Sequence, residues 1–256
     1  MKKYTSFVQL CLIGLILVTA FFFNGCSVFS SIGSSISLGY ENMVSYFNGY
    51  YNATNLFSEA EDEINTAALA ARGKEPASTQ PIQIPGTAKQ KLGQVIDKCS
   101  NILAFHPTSS LVDNALLLIG KSFYYQADYL KAERKFAELL AQFPNSALAL
   151  EAQIWYARST EKLGKLEEGV RLSQAAGTTA QAIGDRDSET QAHLLLGILY
   201  RRMNPTEKSI AEYEKAVSIS RDDDVRGNAQ ISMGDIFFED KQYKKEEEVY
   251  LRTADN

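Results

Sequence analysis

Histidine and cysteine are almost missing from this 256-residue chain, which has two of the first and three of the second. Cys11 and Cys26 lie in the apolar N-terminal stretch, so Cys99 stands alone in the rest of the sequence. One thiol makes no intramolecular disulfide, and the fold has to hold by packing. His106 precedes Pro107 at a helix end and His193 sits on a helix face. Those positions suit capping and packing rather than a metal pair or an acid/base dyad. A glycine-rich phosphate loop and a nucleophile elbow are both lacking, and strand-type alternation is essentially absent. The sequence therefore gives an enzyme or metal-binding reading little support, and no cofactor is expected.

Positive charge is also in short supply. The net charge is −5, which disfavours nucleic acid as a partner because phosphates attract basic patches. Two acidic stretches, Gly184 to Glu189 and Asp222 to Asp224, have a calcium-like composition but not the ligand spacing of a calcium loop. Each precedes a predicted helix, where acidic residues favour the positive N-terminus.

Before Glu41 the only charges are Lys2 and Lys3, followed by an apolar run from Phe7 to Phe23. This is the layout of an export signal. The run ends at Asn24-Gly25-Cys26, which resembles the lipobox of bacterial lipoproteins, although Phe23 and Asn24 stand where that family has leucine and a small residue. The resemblance implies a signal peptide over 1–25, acylation of Cys26 and attachment of the mature chain to a membrane of the bacterial envelope by its N-terminal lipid. Anchorage in the outer membrane, facing the periplasm, is the expectation. The alternative is an uncleaved membrane anchor.

Residues 26–39 are rich in serine and read as a flexible tether. The span 40–71 reads as an N-terminal helix, with Met43, Tyr46, Phe47, Tyr50, Phe57, Ala60 and Ile64 on a helical period. Residues 72–88 hold three of the six prolines and read as an exposed loop. Beyond it, Leu92, Val95, Ile96, Cys99, Ile102 and Leu103 restore a helical period, and Cys99 reads as a small buried hydrophobe.

Internal repetition carries most of the information. A shift of 37 residues lays Leu103, Ala104, Pro107, Ser109, Leu111, Ala115 and Ser122 on Leu140, Ala141, Pro144, Ser146, Leu148, Ala152 and Ser159. Within the stretch LLIGKSFYYQADYLKAERKFAELLAQFPNS, Gly120, Phe123, Ala132, Phe136 and Pro144 resemble the tetratricopeptide repeat, a helical hairpin with a small residue and an aromatic on its first helix and an alanine, an aromatic and a proline on its second. Looser units follow. One has Ala157, Gly164 and Gly169; another has Gly197, Tyr200, Tyr213 and Ala216; the last has Gly234, Phe237 and Tyr250. Thr160, Ser173 and Glu246 depart from the pattern. The resemblance implies an all-α, right-handed solenoid of antiparallel hairpins over 89–256, with units near 113–146, 150–183, 190–223 and 227–256. A lipoprotein leading into such repeats also resembles the tetratricopeptide lipoprotein of the outer-membrane β-barrel assembly machinery, and an organiser of cell-wall synthesis or division is the alternative.

The family's function, protein binding on a groove lined by the first helix of each unit, implies a set of groove residues here. They are Asn114, Lys121, Tyr124 and Tyr125, then Arg158 and Lys162, then Arg201 and Arg202. Arginine beside tyrosine suits an extended peptide carrying carboxylates and an apolar or aromatic side chain, with Arg201 and Arg202 expected to be exposed. The last unit stops at Asn256 within its second helix. Such arrays end in a capping helix, so the sequence implies truncation or a partner covering Ile236, Val249 and Tyr250.

Overall fold

The computed structural model describes residues 39–40, 42–44, 49–72, 84–239, 241 and 243–254. Cys26, the serine-rich tether and most of the proline-rich loop lie outside them. Among the described residues there is no strand, and from Tyr51 onward the helices are α1 (Tyr51–Arg72), α2 (Gly86–Phe105), α3 (Val112–Tyr125), α4 (Tyr129–Gln142), α5 (Ala149–Lys162), α6 (Leu166–Ile183), α7 (Arg186–Met203), α8 (Thr206–Ile219), α9 (Asp223–Glu239) and α10 (Tyr243–Ala254). Each packs on the next, and α1 with α3, α3 with α5 and α5 with α7 also touch. The first helices of successive hairpins thus form one layer, as stacked repeats require.

The hairpins close because a glycine faces an aromatic. A β-carbon on Gly120 would stand 2.5 Å from the Phe136 ring, one on Gly197 2.8 Å from Tyr213, and one on Gly234 2.5 Å from Tyr250. Bare backbone lets the second helix come close, and the ring fills the space beside it. Burying a phenylalanine in this way stabilises by roughly 1.5–3 kcal/mol. The α5–α6 hairpin uses another solution. Ala157 and Ser173 occupy the two equivalent sites and are both buried. Leu199 of α7 reaches over Gly169 instead, with a methyl 2.9 Å from where a β-carbon would sit. Thr160 and Ser173, which depart from the sequence pattern, bond their hydroxyls to the carbonyls of Ala157 and Gly169 and cost the core no unpaired polar group.

The turns repeat as strictly as the glycines do. Ala127, Gly164, Asn204 and Lys241 have φ of 61°, 76°, 74° and 59°. They follow one another at intervals of 37, 40 and 37 residues, the same intervals that separate Gly120, Ala157, Gly197 and Gly234. In the first two turns the residue after the left-handed one donates its N–H across the helix end, Asp128 to the Phe123 carbonyl and Lys165 to that of Thr160, both at 2.9 Å. This closure satisfies carbonyls left open at a helix C-terminus.

The N-terminal helix is part of the array. Ala53, Phe57, Ala60 and Ile64 of α1 share one core with Ala88, Leu92, Val95, Cys99 and Ile102 of α2, making a further hairpin ahead of the four units read from sequence. Cys99 is fully buried there, as its apolar company implies. At the other end one expectation needs correcting. Ile236 is already buried against Tyr213, Ala229 and Met233, with Val249 partly buried beside them. The exposed apolar residues of the last hairpin are Ile231, Phe238 and Leu251.

Candidate ligand-binding groove

Trp155 is the centre of the first-helix layer. It lies on α5, 5.1 Å edge-on from Tyr124 and 5.8 Å from Tyr125 of α3, and stacks at 6.4 Å on Phe136. Two cations use its faces. Arg158, one turn further along α5, places its guanidinium 4.6 Å from the ring centroid, and Lys121 of α3 places its ammonium at 5.2 Å. Such contacts are attractive because the face of an aromatic ring is electron-rich.

Around this cluster opens a groove of about 570 Å³ that runs from Glu61 on α1 across α3 and α5 to Asp185, which precedes α7, and to Asp187 and Gln191 on α7. Leu150, Ile154 and Ile183 supply its apolar surface. Ile154 is buried, whereas Ile183, the last residue of α6, is 67% exposed.

The groove brings together Lys121, Tyr125 and Arg158 of the residues expected from sequence, and it does not bring in the rest. Tyr124 is half-buried beneath it, and burial pushes its phenol up to about 12. The Tyr125 phenol is also pushed up, by burial and by the hydrogen bond it donates to Glu61 at 2.6 Å. Asn114 donates to the Tyr50 hydroxyl at 3.4 Å. Lys162 and Arg202 converge on Glu161, at 3.2 and 2.6 Å, and the Glu161 side chain is only 6% exposed. Arg201 reaches Glu239 at 2.6 Å. Arg201 is half-buried at 32% exposure, and Arg202, at 42%, is committed to a buried partner. Arg202 is exposed as expected and Arg201 is only half-buried, but neither stands in the groove: both tie α7 to neighbouring hairpins.

The groove's carboxylates escaped the sequence reading. Glu61, Glu151, Asp185 and Asp187 line the groove beside Arg158, together with Ile154 and Gln191. Following only the basic and aromatic members lost the acidic ones. Glu151 accepts from Lys121 at 3.3 Å and from the Trp155 indole at 3.4 Å. Asp185 caps α7 through the Ser188 N–H, and the Ser188 hydroxyl together with that N–H holds its carboxyl below the usual range. Asp222 caps α9 by accepting from the N–H groups of Asp224 and Val225. Both acidic stretches thus act at helix N-termini, as their positions implied. His193 meets Glu212 of α8 at 2.5 Å.

The fold and this groove define a helical solenoid of the tetratricopeptide type. Residues 114–146 match the sequence pattern of the tetratricopeptide repeat. Among solved structures, the chain is similar to the MamA RS-1 ArsTM double mutant, with 16% identity over 77% of this chain and 93% of that one and a TM-score of 0.53. It is also similar to a Rap protein complexed with competence and sporulation factor, at 11% identity over 80% and 54% of the two chains, TM-score 0.61. A third is the Rap conjugation gene regulator of the plasmid pLS20 in complex with the Phr* peptide, at 15% identity over 64% and 46%, TM-score 0.54. This chain spans about half the length of the two Rap proteins. No curated protein matches the sequence.

Proposed function

We propose that this protein is a non-catalytic scaffold that holds an extended segment of a partner protein in the groove across α3, α5 and α7, and that a lipid on Cys26 keeps it at a membrane of the bacterial envelope. The observation that carries the binding role is the groove itself. It crosses three hairpins and has Trp155 at its centre and the exposed Ile183 on its wall. An apolar wall flanked by polar side chains is what a bound segment needs. The two Rap proteins of similar fold were solved with a factor or peptide bound, which supports the same use here. The envelope location rests on the basic start, the apolar run and the cysteine that ends it.

Within the envelope, outer-membrane protein assembly is the role we favour, and organisation of cell-wall synthesis is the alternative. Mass spectrometry of proteins co-purified with the membrane-extracted chain separates the two. Barrel-assembly subunits support the first, and cell-wall synthases support the second. Ile183→Glu should abolish that co-purification without changing helical content, because Ile183 projects from the end of α6. Undiminished capture by the folded variant contradicts binding in this groove.

A further inference from the structure

Charge in the groove is unevenly satisfied. Among the residues that line it, Glu61, Glu151, Asp185 and Asp187 are acidic, and only Lys121 and Arg158 are basic. Lys121 is taken up by Glu151 and by the faces of Phe57 and Trp155. Arg158 lies on Trp155 and donates to the neutral Gln191 amide at 3.3 Å. On the acidic side, Glu61 accepts from the uncharged Tyr125 phenol. Asp185 accepts from a backbone N–H, and Asp187 is exposed in the first turn of α7. Among the described residues no cation is paired with these three carboxylates, against one cation, Arg158, without a carboxylate. The other sequence-predicted cations are held by Glu161 and Glu239, outside the groove.

Resting on the reading of this groove as a peptide site, we infer that its occupant is a cationic extended segment in which two or more lysine or arginine side chains flank an apolar or aromatic one. The basic side chains face Glu61 on one wall and Asp185 and Asp187 on the other. The apolar one rests on Leu150 and Ile183. A groove with apolar walls focuses the field of its charges, so the unpaired carboxylates act on an incoming segment more strongly than they would on a flat surface. Charge complementarity of this kind sets partner choice and association rate. The carboxylate-rich segment expected from the sequence is disfavoured, because it meets three like charges.

Trp155 is the only tryptophan in the chain, so its emission reports on the groove directly. The full-length lipoprotein in non-ionic detergent is titrated with two peptides, acetyl-Lys-Leu-Lys-Phe-Lys-amide and acetyl-Glu-Leu-Glu-Phe-Glu-amide. Trp155 fluorescence and calorimetry are read in parallel. The lysine peptide should bind at least about tenfold more tightly, a gap equivalent to about 1.4 kcal/mol. Its affinity should fall with added salt. Glu61→Gln combined with Asp187→Asn should erase most of the gap while leaving helical content unchanged. Equal binding, or tighter binding of the glutamate peptide, overturns the cationic occupant and leaves the groove a peptide site. A lysine preference that survives the double substitution overturns the assignment to these carboxylates. If neither peptide binds by either readout, the reading of the groove as a peptide site falls with it.

Discussion

The Phe136 ring occupies the space a β-carbon on Gly120 would need, at 2.5 Å from its Cε1. The ring has nowhere to go, since it stacks on Trp155 at 6.4 Å and is fully buried. In Gly120→Ala, helix propensity returns about 1 kcal/mol, while overpacking costs roughly 1–3 kcal/mol. We therefore expect a net loss of up to about 2 kcal/mol in urea unfolding. Phe136→Ala should lose about 3–5 kcal/mol through the cavity it leaves. A Gly120→Ala variant more stable than the parent contradicts the packing described.

Arg202 and Glu161 form the second test. Glu161 is nearly buried, and Arg202 binds both its carboxylate and its main-chain carbonyl. Removing one partner of a buried pair is costly, but Arg202 is 42% exposed and Lys162 stays on Glu161. Arg202→Ala should therefore lose only about 1–2 kcal/mol. Exchanging Arg201 and Arg202 together for glutamate should lower the melting temperature clearly, because it sets new carboxylates beside Glu161 and Glu239. An unchanged melt means the two arginines hold nothing together.

The repeated left-handed turn makes a prediction of opposite sign at two equivalent sites. A residue with a β-carbon in that conformation costs about 1–2 kcal/mol relative to glycine, partly offset by glycine's greater freedom when unfolded. Ala127→Gly should stabilise by up to about 1 kcal/mol, and Gly164→Ala should destabilise by about as much. Thermal melts of both variants check this, and shifts of the same sign contradict the equivalence.

A pH dependence follows from Glu212. Burial pushes its carboxyl up, but hydrogen bonds from His193 and Lys215 outweigh that and leave it below the ordinary value of 4.5. A lowered folded value gives stability that is complete above the unfolded value and is lost as pH falls through the folded one. Urea midpoints should drop below about pH 4.5, and Glu212→Gln should flatten that part of the profile. An identical acid limb in the variant excludes Glu212 as a contributor.

Cys99 gives a chemical readout of the core. Burial pushes its thiol up to about 12, so the reactive thiolate is scarce at neutral pH. Iodoacetamide should label Cys99 slowly in the native chain and rapidly in urea. Fast native labelling contradicts the α1–α2 core.

What was legible in the sequence was the part in which residue type and position agree. Gly120 with Phe136, Gly197 with Tyr213 and Gly234 with Tyr250 are a small residue and an aromatic at a fixed interval, and each pair meets. The α5–α6 hairpin was harder to read, because Leu199, which fills its centre, comes from the following helix. The left-handed conformation common to the four turns was hidden, because alanine, glycine, asparagine and lysine share it with no side-chain signature. Joining α1 to the array depended on a pairing across the proline-rich segment, which no local period reveals. The groove was read without its carboxylates: the basic positions were followed, and Glu61 and Glu151, which also line it, were not.

The central claim is that a partner segment lies in the groove beside Trp155 and Ile183. Photo-crosslinking in the native cell tests it most directly, with a photoreactive phenylalanine placed at Ile183 in one strain and at the exposed Arg171, in the middle of α6 and outside the groove, in another. Specific adducts from position 183 and none from 171 are the predicted result. Adducts from 171 alone, or equally from both, would contradict it.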